Sequence, residues 1–133
     1  MSMKVAVLML TLLQPVGAWG KDAASGEALF RRYCATCHGL AAKGNGPTAE
    51  IISVAPTDLT RLASENGGAF PLERIVRRID GRDMIVAHGS PMPIYGAFFE
   101  DAEQVRVQEG EDWIEASPPV IAIAHFLQAI QQE

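Results

Sequence analysis

The sequence predicts an all-α fold, because three of its segments carry amphipathic helical patterns and none shows a clear β alternation. The first pattern precedes Cys34, the second follows Pro71, and the third follows Ser117 near the end of the chain. The chain has 133 residues, which is about the size of one domain. We therefore expect a single small helical domain.

The first two predicted helices each combine a start signal with apolar residues at helical spacing. Ser25 is a favourable N-cap for a helix that runs from Gly26 to Tyr33 and ends directly before Cys34. Pro71 suits the first turn of the second helix. The apolar positions of that helix recur at i, i+3, i+4 and i+7, and they are Leu72, Ile75, Val76 and Ile79. Both helices are expected to pack one face against a core.

The third predicted helix, from Val120 to Ile130, is apolar over most of its circumference. Its main face carries Val120, Ile123, Ala124 and Leu127, with Phe126 and Ile130 beside them. This pattern predicts a buried C-terminal helix. Weaker helical signals occur over 59–64 and 97–107.

The motif Cys34-Ala35-Thr36-Cys37-His38 indicates a site for covalent haem attachment. Two thiols three residues apart can each add across one vinyl group of a porphyrin, and the adjacent imidazole can bind the iron. The sequence has two cysteines, both in this motif, so no disulfide framework is predicted. The alternatives are a thiol oxidoreductase, which would need a βαβ pattern, and a zinc site, which would need a fourth ligand and wider spacing.

Residues 1–18 are predicted to be a secretory signal peptide. Lys4 is followed by an apolar run over 5–13 that is too short to cross a bilayer, and small residues precede an expected cleavage site before Trp19. Residues 19–133 contain no apolar run long enough for a membrane anchor. We therefore expect cleavage to leave one domain with no integral membrane anchor.

The charge of the chain argues against nucleic acid as a partner. The formal net charge is −5, and removal of residues 1–18, whose only charged residue is Lys4, makes it one unit more negative. Four arginines lie close together in the sequence, and an acidic stretch follows over 100–115. Such a charge distribution predicts a dipolar surface that steers an oppositely charged partner, although a merely solvated face is the alternative.

Taken together, these features resemble the class I cytochromes c, the small monohaem carriers of bacteria and their domain relatives in respiratory enzymes. The resemblance extends over nearly all of residues 19–133. The segments that carry it are Gly26–Phe30, Cys34–Gly39, Gly44–Pro47, Ala55–Thr60, Ser90–Pro93 and the terminal helix.

The resemblance implies a small cytochrome c fold, in which the N-terminal and C-terminal helices cross near Gly26 and pack around one covalently bound haem c per chain. Cys34 and Cys37 would attach the haem, and His38 would be one axial ligand of the iron. In this family a carbonyl of the loop after the motif accepts a hydrogen bond from the ligating imidazole, and the position expected here is Pro47.

Met92 is the second axial ligand that the resemblance implies. Its thioether is a soft ligand that favours ferrous iron, and Pro91 and Pro93 stiffen its loop. A methionine that only fills the core is the alternative, and His88 and Met84 are competing ligands. Four residues are candidates for binding the haem propionates, and they are Tyr95, Trp113, Arg78 and Arg82.

The function that the resemblance implies is single-electron transfer in the periplasm, by a monomer that is not an enzyme by itself. Its partners would be redox proteins, such as an oxidase, a reductase or a dehydrogenase. If Met92 does not bind, an open sixth site would instead indicate a haem-based catalyst or gas sensor. We also expect the chain without haem to be poorly folded, because a domain of this size has a thin core of its own.

Overall fold

The computed structural model describes residues 18–81, 92–99 and 102–132. Its helices are α1 (Ala18–Tyr33), α2 (Ala35–His38), α3 (Leu72–Asp80) and α4 (Pro118–Ala129), and its strands are β1 (Val105–Glu109) and β2 (Asp112–Ala116). Short 3-10 turns lie at Leu59–Arg61, Ser64–Asn66 and Ala97–Phe99. Most of the predicted signal peptide and the segment with Met84, His88 and Pro91 fall outside the described residues. In the described ranges, no helix is both long and apolar enough to cross a membrane.

The main helix packing in the described structure is between α1 and α4. Gly26 lies at the closest approach, where an added Cβ would overlap the backbone carbonyl of Ala122 and approach the Cβ of Phe126. One turn further along α1, the ring of Phe30 packs against that of Phe126, with their centroids 5.3 Å apart. The predicted crossing of the terminal helices at Gly26 is therefore present.

Helix α3 matches the second predicted helix closely. Its four predicted apolar residues are all buried, and Pro71 directly precedes the helix. Gly81 ends it in the left-handed conformation, with φ at 79°, and donates its N–H to the carbonyl of Arg77. The core lies between this helix and α4, whose buried residues are Val120, Ile121, Ala122, Ile123, Ala124 and Leu127.

Gln131 connects the segment after α4 to the middle of the chain through side-chain hydrogen bonds. Its side-chain amide donates to the carbonyls of Leu59 and Leu127, at 2.8 and 2.7 Å, and its oxygen accepts from the N–H of Ala63 at 2.8 Å. The N–H of Gln132 also donates to the carbonyl of Thr60. These bonds hold residues 59–63 against the end of α4.

The prediction of an all-α fold is incomplete, because β1 and β2 form an antiparallel hairpin. Gly110, with φ at 61°, takes the first position of the two-residue turn, where type II′ hairpins place glycine. The inner face carries Val107, Ile114 and Ala116, whereas the outer face is mostly charged or polar. Both strands are short and carry few inward-facing apolar residues. The alternation of apolar and polar residues in this part of the sequence is therefore weak, and charged residues obscure it.

Candidate functional site

The motif between Cys34 and His38 forms a single turn of helix directly after α1. The N–H of Cys34 still donates to the carbonyl of Phe30, and the N–H of His38 donates to the carbonyl of Cys34 at 2.9 Å. Residues at i, i+3 and i+4 share one face of a helix, so this turn brings Cys34, Cys37 and His38 to the same side. All three line one cleft.

The two cysteines are free thiols, half-buried at the wall of this cleft. Burial, together with the neighbouring Cys37, raises the pKa of the Cys34 thiol to about 11. The free chain therefore carries Cys34 as the protonated thiol at neutral pH. An S–H group is what adds across a vinyl group to form a thioether, with the proton passing to the vinyl carbon.

His38 is oriented by a hydrogen bond to the main chain. Its Nδ1 lies 3.0 Å from the carbonyl oxygen of Thr57, and with Nδ1–H as the donor, Nε2 is left without a proton and able to bind a metal. Burial lowers the pKa of His38, and the hydrogen bond to Thr57 partly opposes this change. The ring is therefore neutral near pH 7, in the form that binds metals.

The prediction that Pro47 supplies this carbonyl is wrong. The loop with Pro47 instead folds onto the backbone of the motif, since the N–H of Gly44 donates to the carbonyl of His38 at 2.8 Å. The N–H of Gly46 likewise donates to the carbonyl of Cys37 at 3.0 Å. Pro47 is left exposed at the surface. The segment that follows this loop lies beside the imidazole of His38, and its Thr57 carbonyl accepts the hydrogen bond.

The cleft is open to solvent and its walls are mostly apolar, as is usual for sites of small molecules and cofactors. Its cavity volume is about 220 Å³. Its walls include Ile52, Val54, Ala55, Pro56, Leu59, Leu62, Ile75 and Pro93. A deeper apolar extension reaches Phe30, Ile123 and Leu127 in the core. Met92 is half-buried and lines both parts.

Residues 21–108 match the protein-family model described as cytochrome C oxidase, cbb3-type, subunit III. The chain belongs to this family of cytochrome c domains. It is thus a c-type cytochrome of the monohaem class, with a small helical fold to which the β1–β2 hairpin is added. Members bind haem c covalently and usually carry electrons, so the chain is a haem-based electron carrier. No curated protein and no solved structure gave a significant match.

The residues of the cytochrome fit a covalently bound haem. The cleft has the apolar walls that a porphyrin requires, two thiols lie at its edge, and the imidazole of His38 is fixed in the metal-binding tautomer. The thiols and the imidazole come from one motif, the apolar walls come from other parts of the chain, and they meet at one site.

Of the four residues that the sequence suggests as candidates for binding the haem propionates, two line this cleft. Tyr95 and Arg78 line the cleft, but the hydroxyl of Tyr95 donates to the carbonyl of Tyr33 at 2.7 Å. Burial raises the pKa of Tyr95, which keeps that hydroxyl protonated. Trp113 lies on the hairpin, in a separate groove against α3, and it does not line the cleft. Arg82 falls outside the described residues.

Sequence reasoning missed the role of the segment around Thr57 in the cytochrome, although a signal for it was present. Asp58 caps the 3-10 turn at Leu59–Arg61, where its carboxylate accepts from the N–H of Thr60 at 2.9 Å and from the hydroxyl of Thr60 at 2.6 Å. An aspartate two residues before a threonine is typical of such caps. The cap predicts a fixed turn, but nothing in the sequence indicates that this turn meets His38.

Proposed function

We propose that Cys34 and Cys37 hold the haem through two thioethers, and that His38 and Met92 are the two axial ligands of its iron. The observation that carries this proposal is that all four side chains line the same apolar cleft. The sequence has one Cys-x-x-Cys-His motif, which gives one haem per chain.

The chain's own residues then support single-electron transfer. Haem iron supplies a one-electron couple between its ferric and ferrous states. The Thr57 carbonyl keeps the His38 ring in a fixed tautomer and orientation. The thioether of Met92 stabilises ferrous iron, and the apolar walls keep water out of the cleft. With both axial positions filled, no position is left for a substrate, so the domain is not an enzyme by itself.

Arg78 is the residue that we assign to a haem propionate. It lies on α3 and lines both parts of the cleft, and its guanidinium can pair with a carboxylate through two parallel hydrogen bonds. Replacement by lysine would keep the charge and lose the paired geometry.

We further propose that residues 1–18 are removed and that the domain works in a bacterial periplasm, as a monomer with a redox protein as its partner. The matching family model is described as an oxidase subunit, so an oxidase is the first partner to test. Expression in a periplasm with haem-attachment machinery, followed by intact mass, tests the leader. We expect a mature chain that begins at Trp19 and carries one haem. A retained leader would contradict the assignment.

Visible spectroscopy of the expressed domain tests the ligands. In the oxidised form we expect the weak red absorption of an Fe–S bond, and in the reduced form we expect no response to carbon monoxide. Met92→Ala should lose the absorption and bind carbon monoxide. The matched controls are Met84→Ala and His88→Ala, which remove the competing ligands and should leave both properties unchanged.

Two outcomes of this experiment would contradict the proposal. A wild-type domain that binds carbon monoxide readily has an open sixth site, which would indicate a haem-based catalyst or gas sensor. Haem that is extracted from the denatured chain is not attached covalently, and this result would exclude the thioethers at Cys34 and Cys37.

A further inference from the structure

A carboxylate of the hairpin is hydrogen-bonded to the start of α3. Glu109, the last residue of β1, accepts hydrogen bonds from the N–H groups of Leu72, at 3.2 Å, and Glu73, at 3.0 Å, one with each oxygen. These two groups belong to the first turn of α3, whose N–H groups have no partners within the helix. The N–H of Leu72 is shared with the carbonyl of Phe70, at 3.0 Å. Pro71, which precedes the helix, provides no side-chain cap. The negative charge of Glu109 also faces the positive end of the helix dipole.

The opposite end of α3 is bonded to the segment that follows Met92. The N–H of Tyr95 donates to the carbonyl of Ile79 at 2.9 Å, and the N–H of Gly96 donates to the carbonyl of Asp80 at 3.0 Å. A Cβ at Gly96 would overlap that Asp80 carbonyl, so the two segments are in close contact. The position of α3 therefore fixes the chain three residues beyond Met92.

Helix α3 also forms part of the cleft itself. Its face towards the cleft carries Ile75 and Arg78, and its other side meets Trp113 and Ile114 of β2 across a groove. The helix thus lies between the hairpin and the proposed haem site. The same helix therefore contacts the hairpin, the wall of the cleft and the Met92 segment.

We propose that Glu109 is a positioning residue, which acts through α3 to hold Met92 firmly in the cleft. This inference rests on the proposed function, in which Met92 is an axial ligand. An Fe–S bond to a methionine is weak, so its strength depends on how rigidly the protein holds the sulfur. Without the Glu109 carboxylate, the start of α3 loses two charge-assisted hydrogen bonds and the Met92 segment gains freedom to leave the iron.

Competition with imidazole measures this freedom in the oxidised haem-loaded protein. We expect Glu109→Ala to lower the half-saturating imidazole concentration by roughly tenfold, the lower end of the range for residues that support metal ligands. Glu109→Gln keeps one acceptor oxygen and should give an intermediate shift. Glu111→Ala removes an exposed carboxylate from the turn of the same hairpin and should leave the imidazole concentration unchanged.

Urea unfolding of the same variants separates positioning from general stability. A Glu109→Ala protein with a lower unfolding midpoint and an unchanged imidazole midpoint would show that the carboxylate only stabilises the fold, which overturns the inference. If Glu109→Ala does not fold, the urea and imidazole midpoints of Glu109→Gln are compared with those of the wild type instead. A wild-type protein without an Fe–S bond overturns both this inference and the assignment of Met92 as a ligand. If the wild type has that bond, equal imidazole midpoints for the wild type and Glu109→Ala overturn this inference alone.

Discussion

Gly26 is the residue at which α1 and α4 come closest, and the contact leaves room for a hydrogen atom only. The carbonyl of Ala122 and the Cβ of Phe126 occupy the space where any side chain would begin. Backbone groups in two packed helices cannot move aside cheaply, so a larger residue must push the helices apart. The ring contact between Phe30 and Phe126 lies next to this position and would be opened as well.

We therefore predict that Gly26→Ala destabilises the haem-loaded protein by roughly 1–3 kcal/mol, as is usual for overpacking a core. Urea unfolding followed by far-UV circular dichroism measures the change. Ala28→Ser is the control, because Ala28 is exposed on the same helix and its replacement should stay within about 0.5 kcal/mol. Equal unfolding midpoints for the wild type and Gly26→Ala would show that the helices do not cross at this glycine.

The four proposed haem residues and Thr57 differ in how far the sequence could predict them. Cys34, Cys37 and His38 are close in sequence, and one helical turn suffices to bring them together, so their common face follows from spacing alone. The carbonyl that accepts the hydrogen bond from His38 comes from Thr57, 19 residues away. The path of the loop decides which carbonyl lies beside the His38 ring. The sequence does not indicate whether that carbonyl belongs to Pro47 or to Thr57.

At the scale of elements, the 3-10 turn at Leu59–Arg61 connects the site to the rest of the fold. The carboxylate of Asp58 caps the turn, and the N–H of Leu59 donates to the carbonyl of Ala42 at 2.8 Å. The Thr57 carbonyl directly precedes this cap, so the turn sets its direction towards His38. Gln131 holds the far side of the same segment.

The cap should make part of the stability depend on pH. Hydrogen bonds from Thr60 lower the pKa of Asp58. Desolvation of the carboxylate opposes this change, and the charges of Lys43 and Arg61 lower the pKa further. A carboxyl whose pKa is lower in the folded state stabilises that state above its unfolded pKa. This stabilisation is lost as the pH falls through the folded pKa.

We predict that Asp58→Asn lowers the unfolding midpoint at about pH 7, and that its difference from the wild type shrinks as the pH falls below about 4, the usual pKa of a free aspartate. Urea unfolding of both haem-loaded proteins across this range is the measurement. Glu50→Gln changes an exposed carboxylate elsewhere and serves as the control. A difference that stays constant over the whole range would mean that the charge of Asp58 does not stabilise the turn.

The hairpin is the element that the sequence pattern failed to predict, and it also changes the expected charge distribution. The acidic stretch of the sequence becomes a hairpin that packs beside the arginine-rich helix α3. Glu109 caps that helix, and Glu115 lines the same groove as Arg77. The predicted dipole is thus partly neutralised within one side of the molecule, because residues distant in sequence come together only in the fold.

For the whole molecule, the exposed ion pairs are a minor source of stability. Arg31–Glu27 and Arg77–Glu73 are i, i+4 pairs on α-helices, and each contributes about 0.3–0.5 kcal/mol. Arg61–Glu65 joins two 3-10 turns at 3.6 Å. The apolar core is more important, but much of it borders the cleft. Leu59, Leu62 and Ile75 contact both the cleft and the core, so the occupant of the cleft completes the interior.

Loss of haem should therefore cost the protein most of its structure. We predict that the double variant Cys34→Ala/Cys37→Ala, which cannot attach haem, has weak helical circular dichroism and unfolds without a cooperative transition. A cavity of about 220 Å³ between α3, the motif and residues 52–62 would leave their apolar side chains without packing partners. Thr36→Ser is the control, since it alters an exposed residue of the motif and keeps both thiols. A helical double variant with a cooperative urea transition would show instead that the polypeptide builds its core without the cofactor.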